Sequence, residues 1–147
     1  LAGRLNLMPV RDFQVLLDYA HNPVGYEGLR DFLRHYKEKK IGVIDAAGDR
    51  PDEAIQTMGA LAARTYDELV LYEGIDRRGR KEGEIVGLLE KGARGAGMRA
   101  RKIHRFLDPE EAWRAGLSRG AVGWLVVILS GRPEKTLAVI RDFASAQ

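Results

Sequence analysis

The stretch Leu125–Leu129, with the sequence LVVIL, is apolar at every position. A strand with one face in water alternates between apolar and polar residues, whereas a strand covered on both faces can be apolar throughout. The run Phe13–Asp18, FQVLLD, has the same character at Val15–Leu17. We therefore predict that both runs are central strands of a mostly parallel sheet with helices on both faces.

Helical patterns separate further strands along the chain. Pro51 is suited to open one helix, because its ring fits the first helical turn. The other predicted strands are Leu5–Val10 beside the first strand, Ile41–Ala46, Leu69–Tyr72 and the more polar edge strand Ile103–Phe106. The predicted inner helix faces carry Leu29, Phe32, Leu33, Tyr36, Ile55, Met58, Ala62, Ile85, Leu88, Leu89, Leu137, Ile140 and Ala144, and Gly92, Gly95 and Gly97 are expected to end the third helix. Alternating strands and helices predict one three-layer, Rossmann-like α/β domain over residues 1–147, with a mostly parallel sheet of about six strands.

Composition restricts the class of protein. With 147 residues, 45% hydrophobic and 31% charged, the chain can form a core of its own and is not a disordered segment. It contains no cysteine, which excludes disulfides, thiolate metal sites and cysteine nucleophiles. The longest apolar run, Trp124–Leu129, is too short to cross a bilayer, and no secretory signal is visible, so we expect a cytoplasmic domain without a membrane partner. Because the first residue is Leu1 and not Met, we also expect a piece of a longer polypeptide.

Positive charge is concentrated in residues 77–105. The net charge is +3, but this segment holds ten Lys or Arg against three Glu. Such an excess suits a polyanion, a nucleotide phosphate or a carboxylate-rich substrate, and a solvated helix face is the alternative. Only Phe106 interleaves with these charges as an aromatic, whereas nucleic-acid surfaces that stack bases use several. We therefore predict no nucleic-acid partner.

The first group of candidate site residues follows the strand that ends at Asp18. In α/β sheets of this kind, ligands bind beyond the carboxyl ends of the strands. The Asp18 carboxylate can accept a hydrogen bond from a ribose hydroxyl, and His21 and Asn22 can contact a phosphate or water. In the alternative reading, Asp18 and Asn22 cap the next helix and His21 is a polar loop residue.

The second group is Gly48, Asp49 and Arg50, between the strand Ile41–Ala46 and the helix opened by Pro51. Glycine permits close approach of a ligand to the backbone, and the free amides of a helix start favour an anion. The Arg50 guanidinium can bind a carboxylate or phosphate through two hydrogen bonds. An ordinary strand-to-helix turn is the alternative.

The third group lies in the loop of residues 73–80, after the strand Leu69–Tyr72. Arg77 and Arg80 are suited to bind a carboxylate, and Glu73 or Asp76 a cationic side chain. A solvated loop whose charges pair with one another is the alternative.

The motif Leu17–Pro23, LDYAHNP, resembles the one that opens the C-terminal domain of the Mur ligase superfamily. That superfamily includes peptidoglycan-precursor amino-acid ligases, folylpolyglutamate synthetases and cyanophycin synthetases. Gly3–Leu7 resembles the segment that enters this domain, and Val126–Leu129 resembles its last strand. The Gly48–Arg50 turn and the Asp76–Arg80 loop are most similar to the cyanophycin synthetases.

The resemblance implies an ATP-dependent amide ligase. In such enzymes ATP converts a carboxylate to an acyl phosphate, which an amine attacks to form an amide, with release of ADP and phosphate. Similarity to the cyanophycin synthetases implies aspartate side-chain carboxylates as acceptor and arginine as amine. ATP and Mg²⁺ would be bound mainly by a central domain of the same polypeptide, since the chain has no GxxxxGK[ST] loop. A homo-oligomer of the full enzyme is also compatible with the family.

The resemblance also implies a role for each group. Asp18 and His21 would bind the nucleotide, and His21 and Asn22 would be catalytic residues on the phosphate and inter-domain side. The second and third groups would bind substrate. No metal site is predicted: His35, expected in a helix, and His104, expected in a strand, are assigned structural roles. The alternatives are another Mur-type ligase, for peptidoglycan precursors or folylpolyglutamate, and a stand-alone module that binds anions or nucleic acid.

Overall fold

Strands and helices alternate in the computed structural model, which describes residues 6–19 and 23–146. The strands are β1 (Asn6–Val10), β2 (Phe13–Asp18), β3 (Lys40–Ile44), β4 (Glu68–Leu71), β5 (Ile103–Arg105) and β6 (Leu125–Leu129). The helices are α1 (Pro23–Leu33), α2 (Asp52–Thr65), α3 (Glu84–Gly95), α4 (Pro109–Ser118) and α5 (Pro133–Ser145), and Ala100–Lys102 forms a short 3-10 helix.

The six strands form one sheet in the order β1-β2-β6-β3-β4-β5. Only β1 is antiparallel, paired with β2 at one edge, and the other neighbours are parallel. The run Leu125–Leu129 lies between β2 and β3 with all of its residues buried. This confirms the predicted three-layer α/β fold and the central position of the apolar strand.

Two hydrophobic cores lie on opposite faces of the sheet. Side chains of α1, α2 and α3 pack with Leu16 and Leu129 on one face, whereas α4 and α5 pack with Val15, Leu17 and Ile128 on the other. Successive residues of β2 and β6 therefore point to different cores, which explains why these strands have no polar alternation.

Helices α2 and α3 touch through their backbones at two glycines. A Cβ on Gly59 would lie 2.0 Å from the carbonyl oxygen of Leu89, and a Cβ on Gly92 would lie 1.9 Å from that of Gln56. Of the three glycines predicted to end α3, Gly92 serves helix packing instead, and the helix ends at the second of them, Gly95.

Other differences from prediction occur at the ends of helices. α1 ends at Leu33, so Tyr36 follows the helix, and the turn after α1 contains His35. Phe32 is 40% exposed and packs on Tyr36 at the surface. Ala144 is also exposed, because Phe143 makes the contact of the last turn of α5 with β2.

Candidate ligand-binding cleft

A cleft of about 550 Å³ lies at the carboxyl edge of the sheet. There β6 and β3 are neighbours, yet β6 connects to α5 on one face and β3 connects to α2 on the other. Such reversals open a crevice between the two connections, which is where α/β sheets bind ligands. Residues that follow β2, β3, β4 and β6, together with the start of α4, line the cleft.

Asp18 ends β2 at this same edge and is half-buried. The next residue, Tyr19, lines the cleft and is 42% exposed. His21 and Asn22 lie outside the described residues, so their catalytic and nucleotide-side roles stay predictions. The nucleotide-binding role of Asp18 also stays a prediction.

Gly48 brings the loop after β3 against the loop after β4. A Cβ at this position would lie 2.1 Å from the carbonyl oxygen of Arg77, so any larger residue would force the loops apart. Asp49 accepts a hydrogen bond from Arg78 Nη1 at 3.3 Å. Arg50 is exposed, and its guanidinium pairs with no other residue of the described part. The second and third groups of predicted residues are therefore adjacent, as expected of one site.

Glu73 has a structural role instead of the predicted contact with a cationic side chain. It is 1% exposed, and its carboxylate accepts hydrogen bonds from the backbone N–H groups of Gly83 at 3.1 Å, Ile85 at 3.0 Å and Val86 at 3.2 Å. Amides at a helix start have no partner within the helix, and this carboxylate satisfies those of α3. Its burial presents no accessible oxygen to a ligand.

Arg80 likewise has a structural role: it links the loop after β4 to the loop after β3 and does not face the cleft as a free substrate contact. Its side chain is 14% exposed, and its Nε and Nη2 donate to the carbonyl oxygens of Gly48 at 2.8 Å and Arg50 at 2.7 Å. Nη1 pairs with Asp52 at 2.8 Å and also with Glu84. With all three nitrogens occupied, Arg80 has no free pair of donors for the predicted substrate carboxylate.

The two remaining predicted residues of this loop, Asp76 and Arg77, differ in how strongly they are paired within the domain. Asp76 pairs with Arg78 Nε at 3.0 Å, as expected if loop charges satisfy one another. Within the described part of the chain, the polar contacts of the Arg77 side chain are long, 3.3 Å from Nε to the carbonyl oxygen of Arg80 and 3.9 Å from Nη1 to Glu82. Substrate binding by Arg77 and Asp76 stays a prediction, and Arg77 has the greater free hydrogen-bonding capacity.

Asp45 is a cleft residue that the sequence analysis missed, because it was counted as part of a strand. β3 ends at Ile44, and Asp45 lines the cleft. Its backbone carbonyl accepts a hydrogen bond from the hydroxyl of Tyr26 at 2.8 Å. Burial raises the pKa of Asp45 to about 7, since the charged form loses hydration. The available signal was one acid directly after an apolar run, at the carboxyl end of a strand.

Two buried aromatic residues also line the cleft. The hydroxyl of Tyr72 donates to the carbonyl oxygen of Leu129, and the rings of Tyr72 and Trp113 meet edge to face with centroids 6.2 Å apart. Trp113 Nε1 is buried and has no hydrogen-bond partner in the part of the chain that the structure describes. An unsatisfied buried donor costs free energy, and the burial of Nε1 keeps it out of contact with a ligand in the cleft.

The start of α5 forms another wall of the cleft. Ser130 Oγ accepts hydrogen bonds from the backbone N–H of Arg132 at 3.0 Å and from Thr136 Oγ1 at 2.7 Å, which holds the first turn of the helix in place. The Arg132 side chain lines the cleft, and its guanidinium pairs with none of the described residues. Arg132 was not among the predicted site residues, because it belongs to none of the three predicted groups.

The basic segment of residues 77–105 is partly neutralised within the domain. Besides the contacts of Arg78 and Arg80, Arg105 and Arg94 contact Glu90 at 2.9 Å and 3.8 Å. His104 lies in β5 as predicted, and its Nε2 is 2.6 Å from a carboxylate oxygen of Glu68. These pairs leave less free charge on this segment than its sequence indicates.

Residues 6–19 and 23–146 contain no cluster of three or more His, Cys, Asp or Glu arranged to hold a metal ion. Across the same residues, every helix falls short of the length and apolar character that a membrane span requires.

Comparison with known proteins identifies the family. Residues 3–132 match the model of the Mur ligase, glutamate ligase domain. The cyanophycin synthetase of Geminocystis herdmanii (strain PCC 6308) is 40% identical over 141 residues, which are 96% of this chain and 16% of that enzyme. The chain thus spans about one sixth of this relative.

Solved structures share the fold. A UDP-N-acetylmuramoyl-L-alanyl-D-glutamate–2,6-diaminopimelate ligase superposes with a TM-score of 0.81 at 20% identity, covering 99% of this chain and 32% of that one. E. coli FolC in complex with ADP superposes with a TM-score of 0.71 at 20% identity, covering 99% and 33%. Because the family model matches residues 3–132, which are most of this chain, the chain belongs to the Mur ligase, glutamate ligase domain family.

Proposed function

We propose that this chain is the C-terminal domain of an ATP-dependent amide ligase and presents the amino acid to a central ATP-binding domain of the same polypeptide. The observation that carries the proposal is the cleft at the carboxyl edge of the sheet, in a chain 40% identical to one sixth of a cyanophycin synthetase. A cytoplasmic location and a homo-oligomeric full enzyme are further expectations.

The proposed reaction has two steps. A substrate carboxylate attacks the γ-phosphate of ATP, which gives an acyl phosphate and ADP. The amine then attacks the carbonyl carbon, loses a proton and displaces phosphate, which leaves an amide. By similarity to the cyanophycin synthetase, we propose an aspartate side-chain carboxylate as acceptor and arginine as amine.

The residues of this chain bind and orient the reactants. Asp18, which ends β2, is proposed to accept a hydrogen bond from the ribose, and Arg50 and Arg77 are proposed to donate to substrate carboxylates. His21 and Asn22 are proposed for the phosphate side. Mg²⁺, which would neutralise the phosphates of ATP, is assigned to the central domain, because no described cluster of acids suits it.

The nucleotide assignment predicts a selective effect of Asp18→Ala in the longer polypeptide that carries this chain. Loss of a charge-assisted hydrogen bond of roughly 1.5–3 kcal/mol should raise the KM for ATP about 10- to 100-fold and leave the KM for the amino acid nearly unchanged. The measurement is ATP-dependent amide formation and phosphate release, titrating ATP, amino acid and acceptor separately.

The matched control is Asp12→Ala, which removes an exposed acid from the turn between β1 and β2. It should change none of the three KM values. A panel of acidic, cationic and diamino acids identifies the substrate and separates the proposal from the other Mur-type ligases. Absence of amide formation with every amino acid would overturn the proposed function, and an unchanged KM for ATP in Asp18→Ala would remove only the nucleotide role.

A further inference from the structure

The Asp45 carboxylate lies in the cleft without a cationic partner among the described residues. Burial disfavours the charged form of this carboxylate, its own backbone N–H favours it through a hydrogen bond, and no Lys or Arg in residues 6–19 and 23–146 compensates the charge. Its Oδ2 lies beside Gly74, another lining residue, at 3.8 Å from where a Cβ on that glycine would be. A carboxylate withdrawn from water and left unpaired destabilises the protein, so a group that pairs with it would bind favourably.

The acids predicted for this role are less suited to it. Glu73 is enclosed by three backbone N–H groups, and Asp76 already pairs with Arg78 while its side chain is 75% exposed. An exposed ion pair contributes little, because water and salt screen it, whereas a pair formed inside a cleft is screened much less. Asp45 is therefore the acid of this edge with the largest capacity to select a cation.

The opposite charge is also available in the same cleft. Arg132 lines the cleft and has a guanidinium without a partner in the described residues. One unpaired acid and one unpaired guanidinium match a ligand that carries both a cationic group and a carboxylate. An amino acid with a cationic side chain has these groups.

We propose that Asp45 is a specificity-determining residue that pairs with the cationic side-chain group of the amino acid bound in this cleft. The inference rests on the proposed ligase function and deepens it. Both a guanidinium and an ammonium can pair with a carboxylate, but only the planar guanidinium offers two parallel hydrogen bonds, so arginine should be preferred to lysine.

The test compares arginine with citrulline, which has the same shape but an uncharged urea group, in the longer polypeptide. Wild type should use arginine at least tenfold better by kcat/KM. Asp45→Asn should raise the KM for arginine about 10- to 100-fold, leave the KM for citrulline and ATP nearly unchanged, and bring the arginine-to-citrulline ratio close to one. Lysine and norleucine form a second charged and uncharged pair.

Asp31→Asn is the control, because it removes an exposed carboxylate of α1 that pairs with Arg34. It should leave all of these ratios unchanged, and thermal unfolding checks that both variants fold. An unchanged arginine-to-citrulline ratio in folded Asp45→Asn would overturn the proposal. Equal kcat/KM values of wild type for arginine and citrulline would also overturn the proposal.

Failure of the ligase function gives a different result, because wild type would then form no amide with any amino acid. Equilibrium binding of arginine and citrulline to the same polypeptides still decides the role of Asp45. Tighter binding of arginine that Asp45→Asn abolishes supports the role, and equal binding of both probes contradicts it.

Discussion

Glu73→Ala is expected to lower the free energy of unfolding by about 3–5 kcal/mol. The variant removes the buried carboxylate that accepts hydrogen bonds from the N–H groups of Gly83, Ile85 and Val86. A buried donor left without an acceptor costs roughly 1–3 kcal/mol, and water entering the space left by the carboxylate would recover part of the total. Chemical denaturation at pH 7 measures the loss, and hydrogen exchange should show faster opening at the start of α3.

Glu134→Ala is the matched control, since Glu134 is an exposed acid in the first turn of α5. Its loss should cost less than about 1 kcal/mol, because an exposed acid interacts only weakly with the helix dipole. If Glu73→Ala were as stable as this control and instead weakened substrate binding, the role in substrate binding would be right and the structural role wrong.

Asp45→Asn is expected to stabilise the domain at pH 8, although most single substitutions destabilise a protein. The pKa of Asp45 is about 7 in the folded state, against an ordinary value of 3.8. From about pH 4 to pH 7 the folded protein holds a proton that the unfolded chain has released, so stability falls as the pH rises through this window. Asparagine has no such proton, and the advantage of the variant should grow to about 2–4 kcal/mol by pH 8.

Chemical denaturation at several pH values between 4 and 8 measures this difference. Tyr26 and Tyr72 are titratable neighbours of Asp45. Burial raises the pKa of both well above 10.0, so both hydroxyls remain neutral between pH 4 and 8. Arg132 stays positively charged over the whole range. Asp31→Asn should differ from wild type by about 0.5 kcal/mol or less at every pH, as expected for an exposed pair. A difference between Asp45→Asn and wild type that does not change with pH would show that a cation compensates Asp45.

The sheet and its layers could be predicted from sequence because burial on both faces leaves a direct pattern. Leu125–Leu129 is apolar at every position, and its central place in the sheet follows from that. The end of a helix leaves a weaker pattern. Gly92 has the appearance of a helix stop, although it is needed where two backbones touch, and only the position of α2 reveals this.

The sheet edge at which the candidate cleft lies could be predicted, but the partner of each charged side chain could not. Sequence places Glu73 and Arg80 in a strand-end loop, where charged residues are common ligand contacts. Their actual partners are backbone groups of Gly48, Arg50 and the start of α3, which only the folded loops bring together. Asp45 was missed because one acid after an apolar run has no motif, and it gains its importance from burial at the cleft.

The most direct test of the central claim, that this cleft binds the amino acid, is the KM for the amino acid of a Gly131→Leu variant of the longer polypeptide. Gly131 lines the cleft, and among the described residues a Cβ there would meet the ring of Tyr19 at 4.0 Å and nothing else within 4 Å, so a leucine is expected to occupy space in the cleft. Gly28→Leu adds the same side chain to an exposed position of α1, where a Cβ meets none of the described residues within 4 Å. We predict a KM for the amino acid at least tenfold higher in Gly131→Leu, an ATP KM near that of wild type, and no change in Gly28→Leu. An unchanged amino-acid KM in folded Gly131→Leu would contradict the account.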